Sequence, residues 1–324
     1  MTLPLVPEPR GPVTSPHGVQ AGCPPLAVPE PGPFRHVETL YLPEPGQPSA
    51  DCDLVGACTG RQSSAPHFDF LLGDRWMEPA QFTPDRLYWG RWILAHQLSF
   101  ITWRLLGQAL GRLSAALSPA GSDTEVLVAR VVELTELHSL LFMYAGSCPP
   151  EVYVATIRPA MARQHPAFTG QWARDYWPIP VLLRSLQESA PAEVTGPVDS
   201  AVRFNHQVHR AVGARLVPDE KSLWKASEHE DATSAQSADL ADGFDCYFTT
   251  VRRPVCSASV LAQYLRRLGQ AAADLRTHGL YGAAAPPISA FVPSPERERA
   301  KAMEYEAEEL LRRAGRAVWA HAPA

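Results

Sequence analysis

Between Tyr88 and Leu110 the chain reads YWGRWILAHQLSFITWRLLGQAL, and Trp92, Ile93, Phe100, Trp103, Leu106 and Leu110 recur at helical spacing. The pattern predicts one amphipathic helix from Asp85 to Leu113 with a buried apolar stripe. His96 falls inside that stripe. An imidazole on a tryptophan-lined apolar face loses hydration and needs a compensating partner. Taken alone, that fits a satisfied core histidine as well as a functional one. Ser122-Asp123-Thr124-Glu125 offers capping groups for a second helix to about Ala145, with Leu127, Val131, Leu134, His138 and Leu141 as its stripe. Pro149-Pro150-Glu151 opens a shorter helix, EVYVATIRPAMARQ, in which Arg158 follows an apolar turn. HPAFTGQWARDYWPIP reads as an irregular, aromatic-rich loop. Helices are expected again over Asp199–Leu216 and Ser257–His278, with the polar stretch 222–256 between them as a loop or lid. A last helix opens at SPERE, with Ser294 as cap, Pro295 first and Glu296 in the opening turn. With no strand-rich region and no internal repeat, the expected class is all-α.

Residues 1–65 break the helical pattern. LPLVPEPRGP, CPPLAVPEPGPF and YLPEPGQPS are too rich in proline for a continuous helix or a central strand. Phe34, Val37, Leu40, Tyr41 and Leu42 give residues 33–45 apolar groups to dock with, so this part is expected as an extended strap and residues 1–30 as mobile. The domain plan is therefore a Pro-rich arm over 1–65 and a helical domain over 66–324.

Composition narrows the function. At 324 residues, 45% hydrophobic and 19% charged, the chain has the make-up of a soluble globular protein. A net charge of −5 and no dense Lys/Arg face argue against nucleic-acid binding. No apolar run reaches spanning length, and the N-terminus lacks a basic-then-apolar signal, so the cytoplasm is the expected location. Cys23, Cys52, Cys58, Cys148, Cys246 and Cys256 are scattered, with neither CxxC nor CxxCH. That disfavours a cysteine zinc site and a disulfide scaffold, and reduced thiols are expected.

The candidate chemistry rests on histidine, arginine and aromatics. His206 and His209 lie three apart on a helix, about 60° from each other. They are either a surface pair or metal ligands, and a single neutral imidazole is also what a haem iron takes. Arg158, just ahead of the loop carrying His165, Phe168, Trp172, Tyr176 and Trp177, either faces solvent or binds a carboxylate in an aromatic pocket. There is no GxSxG elbow, phosphate loop, GxGxxG or HExxH, nor the Cys-centred loop of a thiolate-ligated haem.

The run WILAHQLSFITWRLLGQAL, then ELTEL, then VYVATIRPAM before HPAFTGQW, resembles in order and spacing the haem enzyme tryptophan 2,3-dioxygenase. His96 matches that family's distal histidine and Arg158 its carboxylate-binding arginine. HPAFTGQ stands in place of the Ser-Gly-Phe-Gln-Ser loop, and FNHQVHR in place of Gly-Tyr-His-x-x-Arg. Those departures resemble the actinobacterial branch, the haem-dependent L-tyrosine 3-hydroxylases of antibiotic pathways. The resemblance covers residues from about 75 to 260.

The resemblance implies a helical bundle of the dioxygenase type enclosing b-type haem, with hydrogen peroxide as co-substrate. The reaction would convert L-tyrosine, or a derivative, to the 3-hydroxylated L-DOPA. His206 would be the axial ligand, with His209 as runner-up. Saframycin-type members attach haem through a Cys four residues after that ligand; here those positions hold Arg210 and Gly213, so haem would be non-covalent. His96 would be catalytic, Trp92, Phe100 and Trp103 would line the cofactor, and Arg158, His165 and Trp172 would bind substrate. A homo-oligomer, a dimer in the first instance, is expected. Two alternatives stay open: an indole-cleaving dioxygenase using molecular oxygen, and a non-catalytic helical interaction protein.

Overall fold

The structure is a computed structural model and describes residues 38–47, 83–117, 123–217, 221–227, 237–282 and 285–320. It is an all-α bundle. Helix α1 (Pro84–Ala116) packs along α2 (Thr124–Ala145), which packs in turn on α5 (Ala192–Leu216). Helix α3 opens as Pro150–Val152, passes through a π turn at Tyr153–Ile157 and ends as Arg158–Gln164. After a 3₁₀ turn at Gly170–Trp172 come α4 (Pro178–Ser189), lying on α1, and, beyond α5, the short α6 (Leu223–Ala226). Helix α7 (Ala238–Tyr247) leads into α8 (Ser257–His278), followed by α9 (Arg297–Tyr305) and α10 (Ala307–Ala320), with α8 packed on α10. Among the described residues no helix is long and apolar enough to cross a membrane.

Helix α1 is the centre of the bundle. The sequence pattern predicts a stripe, but from Leu87 to Trp103 the helix is buried on nearly every side, because α2, α4, α8 and the π turn all pack on it. Each polar group it carries must then be satisfied from within. Ser99 and Thr102 donate to the Ala95 and Leu98 carbonyls one turn back. Thr102 also meets the Tyr264 hydroxyl at 2.7 Å. Arg91 forms a buried ion pair with Asp274 of α8, Nε to Oδ2 at 2.7 Å, and donates further to Ser147 Oγ and the Leu280 and Gly279 carbonyls. Tyr144 of α2 donates to the same Asp274 oxygen. One carboxylate thereby ties three helices together. At the end of α2, Gly146 permits close approach to α5: a Cβ there would lie 2.7 Å from Val212 Cγ1.

Of the strap expected over 33–45, the described part does dock. Leu40–Leu42 forms strand β1, which pairs in parallel with β2 (Thr250–Arg252), Leu40 opposite Thr250 and Leu42 opposite Arg252. Residues 1–37 lie outside the described residues. Beside the strands, Arg252 bridges Asp175 (2.6 Å) and Asp245 (2.7 Å), while Arg174 pairs with Glu44, Asp242 and Asp245. This network clamps the aromatic loop after α3 onto α7 and the strand pair.

Three boundaries differ from expectation. Helix α5 begins at Ala192, not Asp199, and carries Pro197 in its second turn. Helix α4 occupies a stretch with no predicted helix, entered through Pro178, a residue suited to a first turn. The final helical stretch starts at Arg297, two residues late, and splits at Glu306; the Arg297 side chain donates to the Val292 carbonyl and holds the preceding chain as a loop.

Removing one partner of a buried ion pair strands the other charge. Asp274→Ala is therefore expected to destabilise the fold by about 3–5 kcal/mol. Arg130→Ala, which breaks the partly exposed Arg130–Glu133 pair, should cost less than about 1 kcal/mol. Urea unfolding of the two variants checks the contrast, and equal losses would contradict it.

Candidate functional site

Trp92, His96, Phe100 and Trp103 follow one another along α1 and meet aromatic residues from four other parts of the chain. His96 Nδ1 lies 2.6 Å from the Trp92 carbonyl oxygen. A carbonyl only accepts, so Nδ1 carries the proton, and in the neutral ring Nε2 keeps a free lone pair. Trp92 (4.4 Å between ring centres) and Phe248 (4.1 Å, nearly parallel) cover the ring. Burial lowers the His96 pKa to about 4, against the opposing effect of the Trp92 carbonyl, and the charge of His209 lowers it further. At neutral pH His96 is an uncharged base.

A second imidazole has the opposite tautomer. His138 Nδ1 receives Asn205 Nδ2 at 3.2 Å, and the same amide donates to Ser139 Oγ at 3.0 Å. Ser139 gives its own proton to the Thr135 carbonyl, which confirms the amide orientation. The proton of His138 therefore sits on Nε2, which is buried and has no hydrogen-bond partner. Burial pushes this pKa down to about 3, with His209, His96 and His206 adding to the effect. The His138 ring packs edge-on to Trp103 (5.0 Å) and against Phe142 (4.3 Å), and Phe142 stacks on His209 at 4.5 Å.

His206, His209 and Arg210 on α5 line a cavity of about 300 Å³. All three residues are exposed at the surface, and Phe142 covers one face of the His209 ring. Its pKa is lowered by desolvation first and by neighbouring His206 second. His138 thus lies within electrostatic reach of three further histidines, His96 of α1 and His206 and His209 of α5, and His209 also reaches His96. Among the described residues no three metal-ligating side chains converge. Among the described residues the His206/His209 pair therefore has no third protein donor.

Arg158 stands where the π turn hands over to α-helix, a distortion frequent at functional sites. Its Nη2 donates to the Lys221 carbonyl at 3.0 Å, while Nη1 is buried without a hydrogen-bond partner. The guanidinium adjoins the Tyr153 phenol, holding down a pKa that burial raises. Tyr153 contacts Trp92 (6.1 Å), so Arg158 is linked to His96 through two rings. His165 Nδ1 accepts from the Ala167 amide, and its ring meets buried Trp172 edge-on at 4.9 Å. Phe168 then joins Trp172 to Phe244, Tyr247 and Phe248.

Those last three aromatics correct the expectation for 222–256. Among its described residues the segment forms α6, α7 and β2, and Phe244, Tyr247 and Phe248 are among the most buried residues of the chain. Their i, i+3, i+4 spacing makes one helical stripe, masked by the polar average around it. His138 and Asn205 also escaped as site residues, although His138 stood visibly inside the stripe of α2. Cys246 is disulfide-bonded, whereas Cys148 and Cys256 are free thiols, so the expectation of reduced cysteines is corrected at Cys246. Cysteine spacing along a chain does not fix pairing in space.

In the unfolded chain an imidazole titrates near 6.5. Folded, His96 and His138 titrate near 4 and 3, so as pH falls below about 6.5 the unfolded state binds protons that the folded state refuses. Stability is expected to be fully present above that pH and to fall by ~1.4 kcal/mol per pH unit for each such histidine until its folded value is reached. Urea unfolding at pH 7 and 5 checks this, with a shallower slope for His138→Leu; equal slopes would show that His138 titrates normally.

Residues 54–201, just under half of the chain, match the family described as SfmD 3-methyl-L-tyrosine peroxygenase. Within the described residues the match spans α1 to the first turns of α5, including His96, His138, Arg158, His165 and Trp172, and ends before His206. No curated protein matches the chain. The family match supports an oxidoreductase of the tyrosine-modifying peroxygenase kind.

Proposed function

We propose that the chain is a haem-dependent hydroxylase in antibiotic biosynthesis. It would use hydrogen peroxide to convert L-tyrosine to L-DOPA, with water as co-product. The observation that carries this reading is the α5 cavity, with two imidazoles on its wall, one of which, His209, lies within electrostatic reach of the uncharged base His96. The donor set suits a porphyrin, which brings four nitrogens of its own and asks the protein for one imidazole. A zinc site would ask for three or four protein ligands.

His206 is the axial ligand in this reading and His209 the alternative. Both line the cavity; in favour of His209 are its lowered pKa and its stacking on Phe142, and in favour of His206 is its spacing from His96 and His165, which fits the resemblance better. Arg210, on the same wall, offers a cation for a propionate, and Trp92, Phe100 and Trp103 supply apolar cover. No thiol stands four residues after either histidine, so attachment is non-covalent. Haem bound here would supply the redox chemistry that passes one peroxide oxygen to a phenol ring.

The chain's own residues handle binding and protons. His96 Nε2, with its lone pair free, takes a proton from one peroxide oxygen and returns it to the other, which leaves as water. The partnerless Nη1 of Arg158 and its neighbour Nη2 bind the amino-acid carboxylate, fixing the ring's position. His165 and Trp172 complete the substrate side. A second reading takes 3-methyl-L-tyrosine as substrate, favoured by the matching family, which is described as a 3-methyl-L-tyrosine peroxygenase; the free ortho carbon would then be hydroxylated.

Purified protein offered hemin should develop a Soret band and, with peroxide, hydroxylate L-tyrosine or 3-methyl-L-tyrosine. N-formylkynurenine from tryptophan and oxygen would instead establish the dioxygenase alternative, and a preparation that never takes up hemin would favour an interaction protein. His206→Ala should abolish hemin binding; loss on His209→Ala alone would move the ligand to His209. Arg158→Ala should raise KM roughly tenfold to a hundredfold, the loss of a charge-assisted hydrogen bond of about 1.5–3 kcal/mol. Unchanged steady-state kinetics would remove Arg158 from the substrate site.

A further inference from the structure

Gln97, the neighbour of His96, is buried and fully engaged. Its Oε1 accepts from Arg267 Nε at 2.8 Å. Arginine only donates, so this contact fixes which end of the amide faces α8 and turns the NH₂ group the other way. That group reaches the Phe248 carbonyl (2.9 Å), Thr249 Oγ1 (2.9 Å) and the Glu38 carbonyl (3.0 Å). Arg267 also donates to the Glu38 carbonyl. The turn held in this way is strained: Thr249 has φ of +49°, a conformation that a β-branched residue rarely adopts. Such strain persists only where surrounding contacts enforce it, and it gathers at functional sites. Phe248, whose carbonyl Gln97 holds, is the residue whose ring lies flat on His96.

We propose that Gln97 is a positioning residue that acts through Phe248 to hold the His96 ring in one orientation, with Nδ1 on the Trp92 carbonyl. The Trp92 carbonyl alone leaves the ring free to rotate about its Cβ–Cγ bond, which breaks the Nδ1 contact and lets either nitrogen carry the proton. The parallel Phe248 face removes that freedom on one side, and Trp92 limits it on the other. The ionisable groups within electrostatic reach of His96 are His138 of α2 and His209 of α5. Neither is hydrogen-bonded to it, so the ring's orientation is set by packing. The catalytic consequence rests on the proposed role of His96 as proton carrier; the mechanical link does not.

The experiment separates the two. In the full-length chain labelled with ¹⁵N-histidine, without added hemin, His96 should give the shifts of a single Nδ1–H tautomer. Gln97→Glu keeps an acceptor for Arg267 but removes the donors to Phe248, Thr249 and Glu38. Phe248→Leu leaves the Gln97 bonds intact and removes only the stacked ring. Both variants should turn the His96 signals into an average of tautomers. Should Gln97→Glu fail to fold, Phe248→Leu decides by itself. A single unshifted Nδ1–H tautomer in a folded variant overturns the proposal. With hemin, peroxide and substrate, the variants should lose about tenfold in kcat with KM retained. Averaged tautomers in the variants of a parent that shows no turnover would leave the link standing and sink the functional reading.

Discussion

A helix buried on nearly every side cannot leave a polar group unanswered, and that constraint on α1 organises this protein. Arg91 requires a carboxylate, which α8 provides as Asp274, and that carboxylate then recruits Tyr144 from α2. Gln97 requires an acceptor for its NH₂ and a donor for its oxygen, and it obtains them from Phe248, Thr249, Glu38 and Arg267. These contacts span sequence separations of 59 to 183 residues. Each one brings a distant segment to the central helix with defined geometry. The strap strand, the turn after α7 and helix α8 converge on one point because a single amide there has several demands to satisfy.

How much of this was legible depends on whether the information was local. The 3.6-residue recurrence of Trp92, Phe100 and Trp103 is local, so α1 and the burial of His96 could be read directly. The same holds for α2, whose described bounds Thr124–Ala145 follow the capping and stripe signals closely. The strap was readable from Leu40, Tyr41 and Leu42 among prolines, but its partner was not, since β2 lies 210 residues on. The aromatic stripe Phe244–Tyr247–Phe248 was obscured because a window average weighs three aromatics against many polar neighbours. Asn205 carried no signal at all: an asparagine beside His206 reads as a polar surface residue until the fold sets it against His138.

The two buried imidazoles divide proton roles by tautomer. His96 keeps its proton on Nδ1 and presents an acceptor, whereas His138 keeps its proton on Nε2 and presents a donor. Both tautomers follow from neighbours that can only accept or only donate at the contact: a main-chain carbonyl in one case, an amide NH₂ in the other. Desolvation holds both rings uncharged at neutral pH, so neither tautomer is lost to protonation. In the proposed reaction His96 acts as the base, and a base that accepts a proton needs that state prepared before substrate arrives.

The bundle contains two kinds of buried titratable group, and the difference between them bears on function. Arg91, Asp274, Arg252 and Asp245 are paired, so their burial is compensated within the fold and gives them a structural role. His138 Nε2, Arg158 Nη1 and the indole nitrogens of Trp103 and Trp172 are buried without hydrogen-bond partners. Each such group costs about 1–3 kcal/mol. A protein that needed α1, α2 and α3 only as packing elements would be more stable with leucine or phenylalanine at these positions. Trp103 packs on His138 and on Phe100, so part of this uncompensated polarity lies beside the candidate site, while other unpartnered atoms, on Ser114 and Arg215, lie at the far ends of α1 and α5. Donors of the first kind are what a site built to receive a polar ligand would use, and a merely apolar interaction core has no use for them.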